Sequence, residues 1–258
     1  MTTTGVSDFD DQLVRRTPTP GSPSLMLTHI TSHAVMLKVC RTGEFDSPTD
    51  CPVYKERLLY TFYGRPAYRM PDRGVAYHDV IYAPTCFLVK PSRISKAKRM
   101  LPFDSGGFDR YGPAMHHSWV KDDFEITTSE SRVSTIVETF WGDDRSYFGA
   151  KAVSGLSFSP SLEKLTQYYR LLSNQLTQTF DSRCSSIEVQ FPAPLLLEDS
   201  IEAIVVPDAA LDKDLTDLVR RLGANLVTYE YDAPFYPSDF AKPIQWAVRD
   251  YYQGATLI

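Results

Sequence analysis

Three short segments of this chain carry residue types that do chemistry. Ile187-Glu188-Val189-Gln190-Phe191 alternates apolar and polar residues. A strand there puts Ile187, Val189 and Phe191 on one face and the Glu188 carboxyl with the Gln190 amide on the other. With the apolar triplet in the core, Glu188 faces a cleft or solvent. In a cleft it is a candidate for proton transfer and charge stabilisation, although a lone Glu on the polar side of a strand is ordinarily just solvated. Thr28-His29-Ile30-Thr31 places an imidazole near the end of an apolar strand, immediately before a capped helix. A neutral imidazole both donates and accepts a hydrogen bond, and a strand end is where a cleft is lined; a satisfied structural histidine fits the same pattern. In the segment from Tyr60 to Arg69, YTFYGRPAYR, Tyr60 with Phe62 and Thr61 with Tyr63 alternate faces, and Gly64 allows close backbone approach to a ligand. Strand aromatics are more often core than ring-stacking surface.

Other segments carry less specific signals. Asp104 to His117 (DSGGFDRYGPAMHH) is rich in Gly and Pro and reads as a long loop of the kind that is usually functional or mobile. Its Asp104, Phe108 and Arg110 suit a substrate-covering or target-reading role, and an ordinary turn-rich loop suits the same letters. Lys90, Arg93, Lys96, Lys98 and Arg99 form one basic cluster, either a solvated surface or a patch that meets phosphates. His116-His117 has no further ligand at a diagnostic spacing, so no metal is assigned. Neither G-x-G-x-x-G nor G-x-x-x-x-G-K-[ST] occurs.

The elements that must position these residues follow from hydrophobic spacing. Residues 1–24 are rich in Thr, Ser, Pro and Asp and read as a flexible arm leading into one domain over 25–258. Leu25 to Thr31 reads as a strand, Ser32 as a helix cap, and Val35, Met36, Val39 and Cys40 as a helix that Gly43 stops. Strands are expected at Leu58–Tyr63, Pro84–Val89, Ser185–Phe191, Ile201–Val206 and Asn225–Tyr231. Helices are expected at Ser129–Phe140, Leu211–Leu222 and Ser238–Tyr252. The strongest helix signal begins at Ser159 and Pro160 as N-cap and N1, then runs through Leu162, Leu165, Tyr169, Leu172, Leu176 and Phe180. The irregular order of strands and helices favours an α+β fold over a doubly wound sheet.

Composition bounds the class. At 258 residues, 43% apolar and 23% charged, the chain is neither collagen-like nor wholly disordered, and it is long enough to bury a large core without staples. The net charge of -5, from 27 Lys and Arg against 32 Asp and Glu, denies it an overall basic footprint, though not a local one. Cys40, Cys51, Cys86 and Cys184 have no CxxC or Cys/His spacing and read as reduced structural thiols in a cytoplasm. The start lacks signal-peptide character, and no apolar run approaches the ~18 residues that span a bilayer, so no membrane partner is expected.

Taken together and in order, the segments LTHITSHAVMLKVCRTGEF, LLYTFYGRPAYR and SSIEVQFPAPLLLEDSIEAIVVPD resemble the ADP-ribosyltransferase fold, most of all the DarT-type branch that modifies nucleic acid. The first is similar to that branch's His-x-Thr strand and short helix, the second to its aromatic strand followed by Pro and Arg, and the third to the late strand bearing the catalytic glutamate. The resemblance covers Leu25 to Asp208 as three islands. It implies an α+β domain with a split, mainly antiparallel sheet around an NAD cleft, flanked by helices. It implies that NAD is the substrate, that His29 and Thr31 hold its adenosine side, that Tyr63 or Tyr60 stacks on nicotinamide, and that Glu188 contacts the ribose beside the bond that breaks. Arg65 and Arg69 become candidates for the pyrophosphate, because a guanidinium fork matches phosphate oxygens. Gln190, Asp104, Phe108 and Arg110 become candidates to meet the acceptor, a nucleic acid or a protein. Water as acceptor would make an NAD glycohydrolase on the same fold, and loss of turnover a binding module. The resemblance also suggests a toxin or antiviral role with an antitoxin partner.

Overall fold

A computed structural model of the chain describes residues 8–16, 24–47, 49–72, 74–112, 115–173, 182–197 and 200–258. From the N-terminus come helix α1 (Asp8–Arg16), strand β1 (Leu27–Ser32), helix α2 (His33–Thr42), and strands β2 (Glu44–Phe45), β3 (Leu58–Tyr63), β4 (Pro84–Val89) and β5 (Arg99–Leu101). Helices α3 (Phe108–Tyr111), α4 (Glu130–Trp141), α5 (Asp144–Phe148) and α6 (Glu163–Ser173) follow with no strand between them among the described residues. Strands β6 (Glu188–Pro192), β7 (Leu195–Leu196) and β8 (Ile201–Pro207), helix α7 (Lys213–Arg221), strand β9 (Asn225–Tyr229) and helix α8 (Ala241–Gly254) complete the order. The fold is α+β and mainly antiparallel: β1 pairs antiparallel with β3 and β4, β2 with β7, β4 with β8 and β5 with β6, while β8 and β9 run parallel. Two compact units are present, each built from two separate stretches: Met1–Ser24 with Ile94–Gln190, and Leu25–Arg93 with Phe191–Ile258.

The first unit is helical around an aromatic core, with β5 and the start of β6 as its strand pair. Within the stretch expected to be a flexible arm, Asp8–Arg16 is instead a helix whose Phe9 and Leu13 are fully buried. The Phe9 ring lies 5.5 Å from Phe124 and 5.5 Å, edge-on, from Tyr168. Polar composition masks this segment, because its apolar face is one narrow stripe at i and i+4 while its acidic first turn suits a helix N-terminus. Asp10 is buried against Arg132 at 2.6 Å and accepts from the Thr127 hydroxyl at 2.6 Å. Helix α6 also departs from expectation: it starts at Glu163, not at Pro160. Its first free amides, Lys164 N and Leu165 N, donate to the Gln12 side chain of α1 at 3.0 and 3.4 Å. The cap that sequence assigns to Ser159 is thus supplied from a distant part of the chain, leaving Ser159 to bond the hydroxyl of Ser161. Leu176 and Phe180 lie outside the described residues.

The second unit is a sheet in the order β3-β1-β4-β8-β9. Strand β4 is central, and its six residues are all buried, as a continuous apolar run covered on both faces should be. Registers are Thr28 with Phe62 between β1 and β3, His29 with Phe87 between β1 and β4, and Val205 with Val227 between β8 and β9. Ser32 caps α2 by accepting from Val35 N, and Gly43 ends the helix at φ +76, a left-handed conformation that glycine adopts without strain.

Candidate active site

The Glu188 carboxyl is the centre of a buried polar cluster in the first unit. Strand β5 pairs antiparallel with β6, placing Arg99 opposite Gln190 and Leu101 opposite Glu188. The chain then turns at Asp104, which caps a short 3-10 turn (Ser105–Gly107) by accepting from Gly106 N at 3.0 Å. This turn presents Ser105 to the strand. The Ser105 amide donates to Glu188 Oε2 at 3.2 Å and its hydroxyl to Oε1 at 2.8 Å, while Gln190 Nε2 donates to Oε1 at 2.5 Å. Gly107 is required by crowding, since a Cβ there would stand 2.7 Å from the Tyr111 ring. Tyr111 closes the cluster by donating its hydroxyl to the Asp104 carbonyl.

The strand alternation is therefore real, but its polar face is not solvated. Glu188 is 1% exposed and Gln190 fully buried, because the Asp104–Tyr111 segment covers them. Burial, and next the negative charge of Asp104, push the Glu188 carboxyl up to about 8, against the hydrogen bonds from Gln190 and Ser105 that favour the ionised form. Burial and the charges of Asp104 and Glu188 drive the Tyr111 hydroxyl well above its ordinary range. Arg183 stands 3.7 Å from Asp104 Oδ2. At neutral pH the cluster holds a carboxyl that is mostly protonated, dry and fixed in place by three donors. A carboxyl raised in this way is a candidate for proton transfer.

Phe108, also in the first unit, is half-buried on α3 and lines an open pocket of ≈ 330 Å³ with Asp109, Gly112, His116, His117 and Trp119. Arg110 is exposed. The rings of His116 and His117 stack at 4.5 Å. The structure thus brings Glu188, Gln190 and Asp104 into one cluster, with Phe108 one turn further along the same segment.

The remaining expected residues belong to the second unit. His29 Nδ1 bonds the Tyr60 carbonyl at 2.8 Å, and its ring packs edge-on against Phe45. Burial lowers the His29 imidazole, so it is neutral at pH 7, with Nδ1–H donating to that carbonyl. Tyr60 is half-buried, with its hydroxyl on Cys51 Sγ. Tyr63 differs: it is fully buried and its hydroxyl accepts from Leu25 N at 3.2 Å, so no ring face is exposed for stacking. Of the aromatic pair, Tyr60 alone keeps exposed surface. Tyr63→Phe is expected to cost about 1 kcal/mol in urea unfolding by orphaning that amide, and an unchanged stability would contradict this structural role. The Thr31 carbonyl accepts from Thr85 Oγ1 at 3.3 Å. Arg65 is 2% exposed, and its carbonyl accepts from Thr28 Oγ1, whereas Arg69 is exposed.

Sequence reasoning misses Ser105 and Arg183. The run Asp104-Ser105-Gly106-Gly107 does carry a signal, a side-chain cap followed by two glycines, which is the signature of a tight turn with outward amides. No protein-family profile, curated protein or solved structure matches the chain.

Proposed function

We propose that this protein is an NAD-dependent ADP-ribosyltransferase that acts on a macromolecular acceptor, nucleic acid by preference, with Glu188 as its catalytic carboxyl. The observation that carries the reading is the Glu188 carboxyl itself, held on a strand by the Ser105 amide, the Ser105 hydroxyl and the Gln190 amide in a water-poor setting. Support for NAD as the substrate comes from the resemblance of the strand that bears it.

Transfer breaks the bond between the ribose anomeric carbon and the nicotinamide nitrogen, whose electron pair leaves with neutral nicotinamide. Positive charge develops on the anomeric carbon and ring oxygen, as in other oxocarbenium-like glycosyl transfers. A carboxylate that accepts the neighbouring ribose hydroxyl stabilises this charge, and it can take the proton released when the acceptor heteroatom bonds the anomeric carbon. Glu188 must be ionised to do either. The cationic nicotinamide ring favours that form, so substrate binding is expected to release a proton from the cluster.

The test is incubation of purified protein with labelled NAD, alone and with DNA, RNA or protein. Label on an added macromolecule supports transfer, free ADP-ribose alone identifies hydrolysis, and intact NAD in every arm overturns the proposal. At sub-saturating NAD the rate is expected to rise with pH and level off above about 8, where the Glu188 carboxyl of the free protein ionises. A rate that falls through that range would show that the protonated form is the active one.

A further inference from the structure

The Glu188 cluster continues outward through Gln190. Gln190 Nε2 bonds both Glu188 Oε1, at 2.5 Å, and Ser105 Oγ, at 3.2 Å. Its Oε1 accepts from Arg99 Nη1 at 3.4 Å. The two residues are cross-strand partners on β5 and β6, so their side chains leave the pair on one face by construction. Arg99 is half-buried, and it draws down the Glu125 carboxyl that burial pushes up. A buried amide has two orientations, related by exchange of its oxygen and nitrogen. With a guanidinium on one side, only the orientation with Oε1 toward Arg99 is satisfied, because a guanidinium donates and never accepts. The amide N–H groups must then face Glu188.

We propose that Arg99 is a positioning residue for Glu188: by holding the Gln190 carbonyl it aims the Gln190 amide at Glu188 Oε1. This rests on reading Glu188 as the reacting group. Without Arg99 the amide is free to turn its oxygen toward Glu188, where it accepts from the protonated carboxyl and disfavours the ionised one. The other groups facing Glu188 are Asp104, Ser105 and Tyr111 from the segment after β5, with Arg183 behind Asp104. They are unchanged by the substitution.

The test follows the Glu188 carboxyl by carbon NMR in protein labelled at Glu, with the signal assigned by its loss in Glu188→Gln, alongside the pH profile of NAD consumption. Arg99→Met is expected to raise the Glu188 midpoint and the rising limb of the profile by about one pH unit, lowering the rate at neutral pH about tenfold with recovery at alkaline pH. Arg99→Lys, which keeps a donor and a charge, is expected to restore part of the shift and also serves if Arg99→Met does not fold. In a Gln190→Met background, Arg99→Met is expected to move the midpoint no further. An unmoved midpoint, or an equal shift with and without Gln190, overturns the proposal, the latter because Arg99 would then act through space. If the midpoint moves as stated but no variant consumes NAD, the functional reading fails while the positioning role stands.

Discussion

Glu188→Gln is expected to lower NAD turnover by about 10²–10⁴-fold while making the folded protein less sensitive to rising pH. While the Ser105 backbone amide loses its acceptor, the new side-chain amide keeps the size of the carboxyl and, with its oxygen in the Oε1 position, the bonds from the Ser105 hydroxyl and Gln190. What it cannot do is ionise. In the native protein the Glu188 carboxyl is raised from its ordinary 4.5 to about 8. Between those limits the folded state keeps a proton that the unfolded chain has lost. Stability from this group is complete below the lower limit, declines as pH rises toward the upper one, and is gone beyond it. The slope is about 1.4 kcal/mol per pH unit for one such proton, for a total on the order of a few kcal/mol. Urea unfolding of wild type and Glu188→Gln across this range should give curves that converge at the acid end and separate toward the alkaline end, with the variant the more stable. Parallel curves would mean that the carboxyl is not held protonated.

The second large effect is expected far from that cluster in sequence, at Phe9. Truncation to Ala should cost about 3–5 kcal/mol, because the ring is fully buried between Phe124, Phe140 and Tyr168 and its loss leaves a cavity in a core made of rigid rings. Val14, on the same helix but 48% exposed, provides the control, and its truncation should stay within about 0.5 kcal/mol. Chemical denaturation measures both. If Phe9→Ala and Val14→Ala behave alike, α1 is not part of the core. The same helix also holds Asp10 against Arg132 and caps α6 with Gln12, so its detachment takes the partner from a half-buried guanidinium and the acceptor from two helix amides together.

Much of this architecture is legible in the sequence because local spacing specifies it. The apolar run Pro84–Val89 reads as a buried strand, Ser32 and Gly43 bracket a helix, and Ser129 caps another by accepting from Arg132 N. Failures occur where a distant partner decides. Nothing near Glu163 reveals that Gln12 caps α6, and nothing near Phe9 reveals the aromatic rings that bury it. The Glu188 strand shows both kinds of information. Its alternation sorts the side chains correctly, but whether the polar face is wet depends on a turn more than 80 positions earlier. Likewise the basic run KPSRISKAKR reads as surface, yet its last residue, Arg99, faces the buried Gln190 because β5 lies against β6. For the aromatic strand, spacing could not choose between Tyr60 and Tyr63; burial does.

Because each compact unit is stitched from two stretches that alternate along the chain, neither can be finished during synthesis while its later half is still unmade. Helix α1 precedes its partners by more than 110 residues for Phe124 and Thr127 and by some 150 for α6. Such long-range closure slows folding and leaves early apolar surface uncovered in the meantime. No single cut in the chain separates the two units from one another.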